Sequence, residues 1–260
     1  MNVPQLHYNC NGNPFFISKE NTMLYADLHT HSIASGHSAP ETIQAMAREA
    51  SKKGLYLLGI SDHGPATPGA AKASYFRSLK SAPHIRESVH LYYGTEASIL
   101  SFQGALDLED NILSALDYAI ASIHRPFLAP GNVFQNTDAY LSAMEHPQVR
   151  IIGHCDDARY ETDYERLICA AREKQILLEI NNTSFSPMQY RGNTRDNLRK
   201  ILFICRRLDY PVILSSDSHR LCDIGNVSMA SAFLKAEGFP DSLVINYDKA
   251  ALQRWLSHSL

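Results

Sequence analysis

The 260-residue chain is short of several things, and each shortage closes off a class of protein. Its five cysteines, Cys10, Cys155, Cys169, Cys205 and Cys222, form no CxxC pair and are odd in number. That sets aside a thiolate zinc site and a disulfide scaffold, and free thiols in a reducing cytoplasm are the expectation. No apolar run approaches the length of a bilayer span, so no membrane partner is expected. Basic residues do not dominate. There are 24 Lys and Arg against 27 Asp and Glu, a net charge of −3 with His neutral, unlike the footprint of a nucleic-acid binder. Residues 1–22 lack the basic start and apolar stretch of a secretory leader. They are polar and Asn-rich, and Met23 stands directly before the first apolar run, so they read as an upstream start or a poorly ordered surface extension. Linkers, low-complexity tracts and internal repeats are also missing, so residues 23–260 read as one domain of ordinary globular composition.

What is present is a rhythm. Seven short apolar runs each end on a polar residue able to bind a metal or a substrate. Leu24–Leu28 is followed by His29 and His31, Tyr56–Ile60 by Asp62 and His63, and Val89–Tyr93 by Glu96, placed just past the strand. Tyr118–Ile123 leads to His124, Val149–Gly153 to His154, Ile176–Ile180 to Asn181, and Pro211–Ser215 to Asp217 and His219. Between them lie helical patterns. Ser38 reads as a cap with Pro40 in the first turn and Glu41 three residues on, and the helix continues through Ile43, Met46, Ala47 and Ala50 to Gly54. Further helices are expected over Asn136–Glu145, Asp163–Lys174, Thr194–Leu208, Asn226–Ala236 and Asp248–His258, with Pro65–Pro83 a loop plus a short helix. Alternating strands and helices imply parallel strands with right-handed crossovers. An open sheet gathers its ligands at one switch point. Polar groups at every strand end suit a closed ring, whose site lies at the C-terminal ends of the strands.

The polar residues have the chemistry of metal ligands. In an extended segment, residues i and i+2 point to the same side, so His29 and His31 can grip one ion, and Asp217 and His219 repeat that spacing. An isolated HxH is a weak signal, and a single His is more often a satisfied core or surface residue. Chance explains poorly a set placed at strand ends throughout. Mixed His and carboxylate donors suit zinc, manganese or iron. Asp62 either orients a ligand histidine or caps the next turn. Glu96 carries two oxygens and can bridge two ions; an unpaired buried carboxylate is otherwise costly.

Together these residues resemble the PHP (polymerase and histidinol phosphatase) metal-hydrolase superfamily, and within it the YcdX-like phosphatases. The marks are Asp27-Leu28-His29-Thr30-His31-Ser32, Ser61-Asp62-His63-Gly64, Gly94-Thr95-Glu96-Ala97, Glu179 through Phe185, and Ser215-Ser216-Asp217-Ser218-His219. The likeness runs from about Leu24 to Trp255. It implies a distorted (β/α)7 barrel with three divalent ions, zinc first, with manganese or iron as alternatives. Carried over by position, His29, His31, Glu96 and Asp217 hold the first ion and His37, His63 and His219 the second. Glu96 bridges to a third, completed by His124 and His154. Every ligand position is filled. Two stretches depart from the pattern: Arg125-Pro126 follows His124, where close relatives often have an acidic residue, and Cys155-Asp156-Asp157 follows His154, where they often have Pro and Gly. Cys155 reads as a buried spectator in preference to a soft ligand.

Three divalent ions would carry about +6 against two carboxylates, leaving about +4 for hydroxide and substrate. Such a site prefers a small phosphate monoester, attacked in line by metal-bound hydroxide. His37 or Asp62 are candidates to relay a proton, although a metal-ligating His37 would be a poor base. Arg125, Arg159 and Arg191 are candidates to grip phosphate or a distal anion, Arg125 foremost. Asn181 is a further substrate-binding candidate. Alternatives are a phosphodiesterase or 3′–5′ exonuclease, disfavoured by charge, and a non-catalytic metal-binding module. An amidohydrolase would place a bridging Lys where His124 stands. Exposed helices leave a homo-oligomer open.

Overall fold

In a computed structural model, the described residues are 6–8, 14–16, 23–186 and 191–257, so most of the expected N-terminal extension lies outside them. A short antiparallel pair, β1 (Leu6–Tyr8) and β2 (Pro14–Phe16), comes first. The barrel strands are β3 (Ala26–Asp27), β4 (Leu57–Ile60), β6 (Val89–Ser98), β7 (Tyr118–Ser122), β8 (Val149–Ile152), β9 (Leu177–Asn181) and β10 (Val212–Ser215). They lie in that order, each parallel to its neighbours. The ring is nearly closed by a parallel bridge between Thr30 and Ser218, where His31 N–H donates to Ser218 O at 2.8 Å. The (β/α)7 barrel expected from the alternation is therefore present. An edge strand the sequence pattern did not reveal, β5 (Ile85–Arg86), folds back antiparallel on β6 through Glu87 and Ser88, both at positive φ.

Side chains alternate between two cores, as a pleated strand requires. Ile120, Ile151, Leu177 and Ile213 fill the barrel interior. Their neighbours Ala119, Ala121, Ile152, Leu178, Val212 and Leu214 face the outer helices. The interior cluster continues into Leu252 and Leu256 of α8 (Lys249–Ser257), the last helix described. The other helices are α1 (Ile43–Lys52), α2 (Ala73–Leu79), α3 (Asp110–Leu113), α4 (Val133–Ala143), α5 (Tyr164–Lys174), α6 (Thr194–Arg207) and α7 (Ser228–Ala236).

Several local expectations are corrected. Helix α1 is capped by Thr42, whose side chain accepts from Ala45 N–H, and not by Ser38. Ser38 sits at φ +53°, incompatible with the extended backbone of an N-cap. Helix α4 starts at Val133, earlier than expected, because Asn132 and Gln135 form a capping box. Glu96 lies inside β6, not past it: the strand runs on to Ser98, pairing Glu96 with Ile120. Gly94 permits this, since a Cβ there would stand 2.6 Å from the Tyr118 ring. Cys155, Cys169 and Cys205 are free thiols, but Cys222 is disulfide-bonded.

The seam between β3 and β10 is stitched by two buried polar residues. Asp27 accepts from Ser216 Oγ (2.5 Å), Ser216 N–H (3.2 Å) and Gly225 N–H (2.7 Å). Asn246 bridges both strands, donating to Ala26 O and Leu214 O (2.9 Å each) and accepting from Leu214 N–H. Pairing every polar atom is what makes such burial tolerable.

Candidate metal centre

The strand ends converge. Glu96 stands in the middle of the histidines, its Oε2 lying 2.8 Å from His63 Nδ1, 3.4 Å from His29 Nε2 and 3.7 Å from His31 Nε2. Its Oε1 lies 3.2 Å from His124 Nε2 and 3.0 Å from His154 Nε2. Asp217 Oδ1 faces His31 Nε2 at 3.2 Å and His29 Nε2 at 3.6 Å. Ligand-type atoms fall into three overlapping triples, each within 4.8 Å: His29–His31–Glu96, His31–His63–His219 and His63–Glu96–His124. His37 is exposed at the rim, its ring stacked 4.9 Å from that of His63 and tilted 5.1 Å from that of His219. The triple that gathers His63 and His219 within that spacing includes His31, and the His37 ring stands beside both on the rim side.

His124 Nε2 and His154 Nε2 bond to Glu96 Oε1, but four other inward ring nitrogens of this cluster lack hydrogen bonds. His29 Nε2, His31 Nε2, His63 Nδ1 and His219 Nε2 are buried without a hydrogen-bond partner, although carboxylate oxygens lie close to several of them. Such proximity without bonding geometry is what side chains show when they aim at a common point between them. Orphaned buried polar atoms are otherwise rare. The donor set, neutral imidazoles and carboxylate oxygens, fits divalent metal ions.

Behind the cluster, other groups fix the rings. His29 Nδ1–H donates to Glu179 Oε1 at 2.6 Å, while Glu179 Oε2 accepts from His154 N–H at 2.7 Å and Asn181 Nδ2 at 3.1 Å. Glu179 belongs to the quoted motif, but its role was not legible. A carboxylate two residues before the strand's last residue, on the inward face, was the available signal. His31 Nδ1–H donates to Ser35 Oγ at 3.0 Å, and Ser35 Oγ–H in turn donates to Asp62 Oδ1 at 2.6 Å. Asp62 also accepts from Ser32 N–H, Ser32 Oγ and Tyr75 OH, so both its oxygens are occupied away from the centre. Ser98 Oγ lies 3.0 Å from His124 Nδ1. With Nδ1 held, Nε2 presents its lone pair inward, the arrangement a metal-ligating histidine requires. Asp217 and His154 both hold positive φ, at +53° and +26°. Strain of this kind is kept where the surroundings over-determine it, commonly at functional sites.

Charges are strongly coupled. Burial alone would raise Glu96 and Asp217, but the surrounding histidines, His29 first, hold both well below the usual carboxylate range. Burial opposes charge on His29, yet Glu179, Glu96 and Asp217 drive its pKa well up. Burial and the neighbouring His63 and His219 push His31 well down. Burial opposes charge on His63 too, yet Glu96 raises its pKa, so His29 and His63 share the positive charge that the carboxylates demand.

The predicted arginines come together beside this centre. Arg125, Arg159 and Arg191 line one cavity of about 180 Å³ with His124, His154 and Asp157. Arg191 is buried and donates to Asp217 Oδ2 (3.3 Å) and Ser184 Oγ (3.1 Å). Arg159 forks onto Asp157. Asn181 does not line this cavity; it donates to Asp217 Oδ2 at 3.1 Å and accepts from Thr183, holding Asp217 in place. Cys155 packs in the outer core, and burial raises its thiol pKa well above normal.

Fold and site define a β/α barrel whose strand ends carry a histidine–carboxylate centre. The chain belongs to the PHP domain family, which its residues 27–184 match. A Clostridium botulinum protein named "Probable phosphatase" is 38% identical over 89% of this chain and 94% of its own length. One from Thermoanaerobacter sp. with the same description is 38% identical over 90% and 94%. Among solved structures, histidinol phosphate phosphatase of Lactococcus lactis, complexed with zinc, L-histidinol and phosphate, matches with a TM-score of 0.55 at 19% identity. That match covers 84% of this chain and 95% of the other, and it speaks for the fold. No helix among the described residues is long and apolar enough to cross a membrane.

Proposed function

We propose that this chain is a metal-dependent phosphatase that hydrolyses a small phosphate monoester at a centre of three divalent ions, zinc foremost. The observation that carries the reading is the set of buried, unbonded ring nitrogens gathered around Glu96 and Asp217. The relatives bearing the name phosphatase support it.

His29, His31, Glu96 and Asp217 would hold one ion, His63 and His219 with His37 a second, and Glu96, His124 and His154 a third. Such ions supply Lewis-acid polarisation of phosphoryl oxygens and lower the pKa of water. The protein's part is positional. Glu179, Ser35 and Ser98 orient the rings, and Asp62 anchors Ser35. Arg191, beside Asp217, is placed to meet a phosphoryl oxygen, a task guanidinium geometry suits. Of these ligands, His37 is the exposed one, at the rim beside His63 and His219. The site's own carboxylates leave it cationic, which favours a dianionic monoester.

The test is elemental analysis of protein purified without added metal, with assays on p-nitrophenyl phosphate and its bis-ester. More than one divalent ion per chain, and monoester cleavage abolished by His31→Ala, are expected. Preference for the bis-ester would replace the reading with a phosphodiesterase. Failure to bind metal would end it.

A further inference from the structure

The cavity beside His124 and His154 has a charge pattern that a bare phosphoryl group does not require. Its inner wall is made by the two histidines that contact Glu96 Oε1. Three guanidinium groups line it against one carboxylate. Two of the three are already balanced: Arg191 is paired with Asp217, and Arg159 with Asp157. The third, Arg125, is exposed and makes no hydrogen bond or ion pair among the described residues. Arg159 grips Asp157 through Nε and Nη2, which leaves Nη1 without a bond among the described residues. Unbalanced positive charge therefore sits in the cavity lining, in the same cavity that His124 and His154 wall. At about 180 Å³ the cavity has space for a compact group of three-carbon size.

A phosphate held at the histidine cluster would project its ester substituent into this space. We infer that the substrate's leaving group carries a second anion, a carboxylate or a phosphate, received by Arg125 and the free edge of Arg159. The inference rests on the phosphatase reading and narrows it, from small monoesters in general to compact ones with an anionic leaving group. Guanidinium suits either anion, since it meets both with a pair of N–H donors. Asp157 acts here as a positioning residue, holding the Arg159 plane by its bidentate contact.

The experiment compares kcat/KM for glycerol 3-phosphate, 3-phosphoglycerate and propane-1,3-diol bisphosphate. These share a three-carbon frame but carry a neutral, carboxylate or phosphate terminus. Binding of the non-hydrolysable pair propylphosphonate and 3-phosphonopropionate is measured by calorimetry on the same metal-replete protein. The wild type should favour an anionic terminus by at least about tenfold, the scale of one charge-assisted hydrogen bond. Whether 3-phosphoglycerate or the bisphosphate leads identifies the anion. In Arg125→Gln the ratio of anionic to neutral substrate should fall towards unity, in catalysis and in phosphonate affinity alike. Equal treatment of the termini by wild type, or a preference that survives Arg125→Gln, overturns the inference and leaves the phosphatase reading standing. If none of the three esters is cleaved while p-nitrophenyl phosphate is, the inference is overturned and the phosphatase reading stands; if p-nitrophenyl phosphate is not cleaved either, the phosphatase reading fails and the inference with it.

Discussion

Replacing Glu179 by Gln changes neither size nor shape but removes the symmetry of a carboxylate. Oε1 accepts from His29 Nδ1, and Oε2 from His154 N–H and Asn181 Nδ2. A carboxamide has one acceptor and one donor end. With its oxygen towards His29, the new NH2 faces two donors, one of them a backbone N–H that cannot move away. Turned round, it faces His29 Nδ1 and forces the other tautomer, which puts a proton on Nε2 where the cluster needs a lone pair. Either way a buried donor is left unpaired, at a cost of about 1–3 kcal/mol in stability. Loss of the group orienting a metal-ligating histidine typically weakens metal binding about 10–100-fold. The assay is chelator competition for zinc with wild type and Glu179→Gln. It is run at alkaline pH, because Glu179 also raises the His29 pKa and protons would otherwise compete with the metal. A variant that holds zinc as tightly as wild type and unfolds at the same urea concentration would refute the orienting role of Glu179.

Two further predictions concern the frame of the site. Burial pushes Asp107 up to about 6 from 3.8, only partly offset by the N–H groups of Ser98 and Ala66. Between those values the folded state binds more protons than the unfolded, so stability is present at low pH and lost as pH rises through the window. The loss amounts to up to about 3 kcal/mol. Urea midpoints of chelator-treated protein should therefore fall more steeply with pH for wild type than for Asp107→Asn, and parallel slopes would show the carboxyl is not perturbed. Gly94→Ala places a Cβ 2.6 Å from Tyr118 Cε1 and 2.7 Å from Tyr118 O, and backbone cannot yield cheaply. A loss of about 1–3 kcal/mol is expected by thermal denaturation, with reduced activity because Glu96 lies two residues along the same strand; an unchanged Tm would contradict the close approach.

Much was open to reading from the chain alone. Strands alternating with amphipathic segments made the parallel barrel legible, because both periodicities are local. The spacing of His29 and His31 placed two imidazoles on one side of an extended segment, and their rings do lie 5.1 Å apart. Asp217 and His219 also come together, Oδ1 to Nδ1 at 3.9 Å, but through a positive φ at Asp217 that the extended-segment rule does not cover and spacing cannot disclose. The arginines were named as candidates, but nothing local said that Arg125, Arg159 and Arg191 share a cavity.

Tertiary structure decided the rest. Glu96 sits inside its strand because β6 pairs onward with β7, a matter of neighbours and not of the strand's own composition. The roles of Glu179 towards His29, of Ser35 and Asp62 towards His31, and of Asp27 and Asn246 at the seam arise between residues far apart in the chain. The physical reason is the same throughout. A sequence carries the period and direction of each side chain within its own segment. Which strand ends meet is set by sheet order and by the Thr30–Ser218 closure, which brings the first and last ligand pairs onto Glu96 and Asp217.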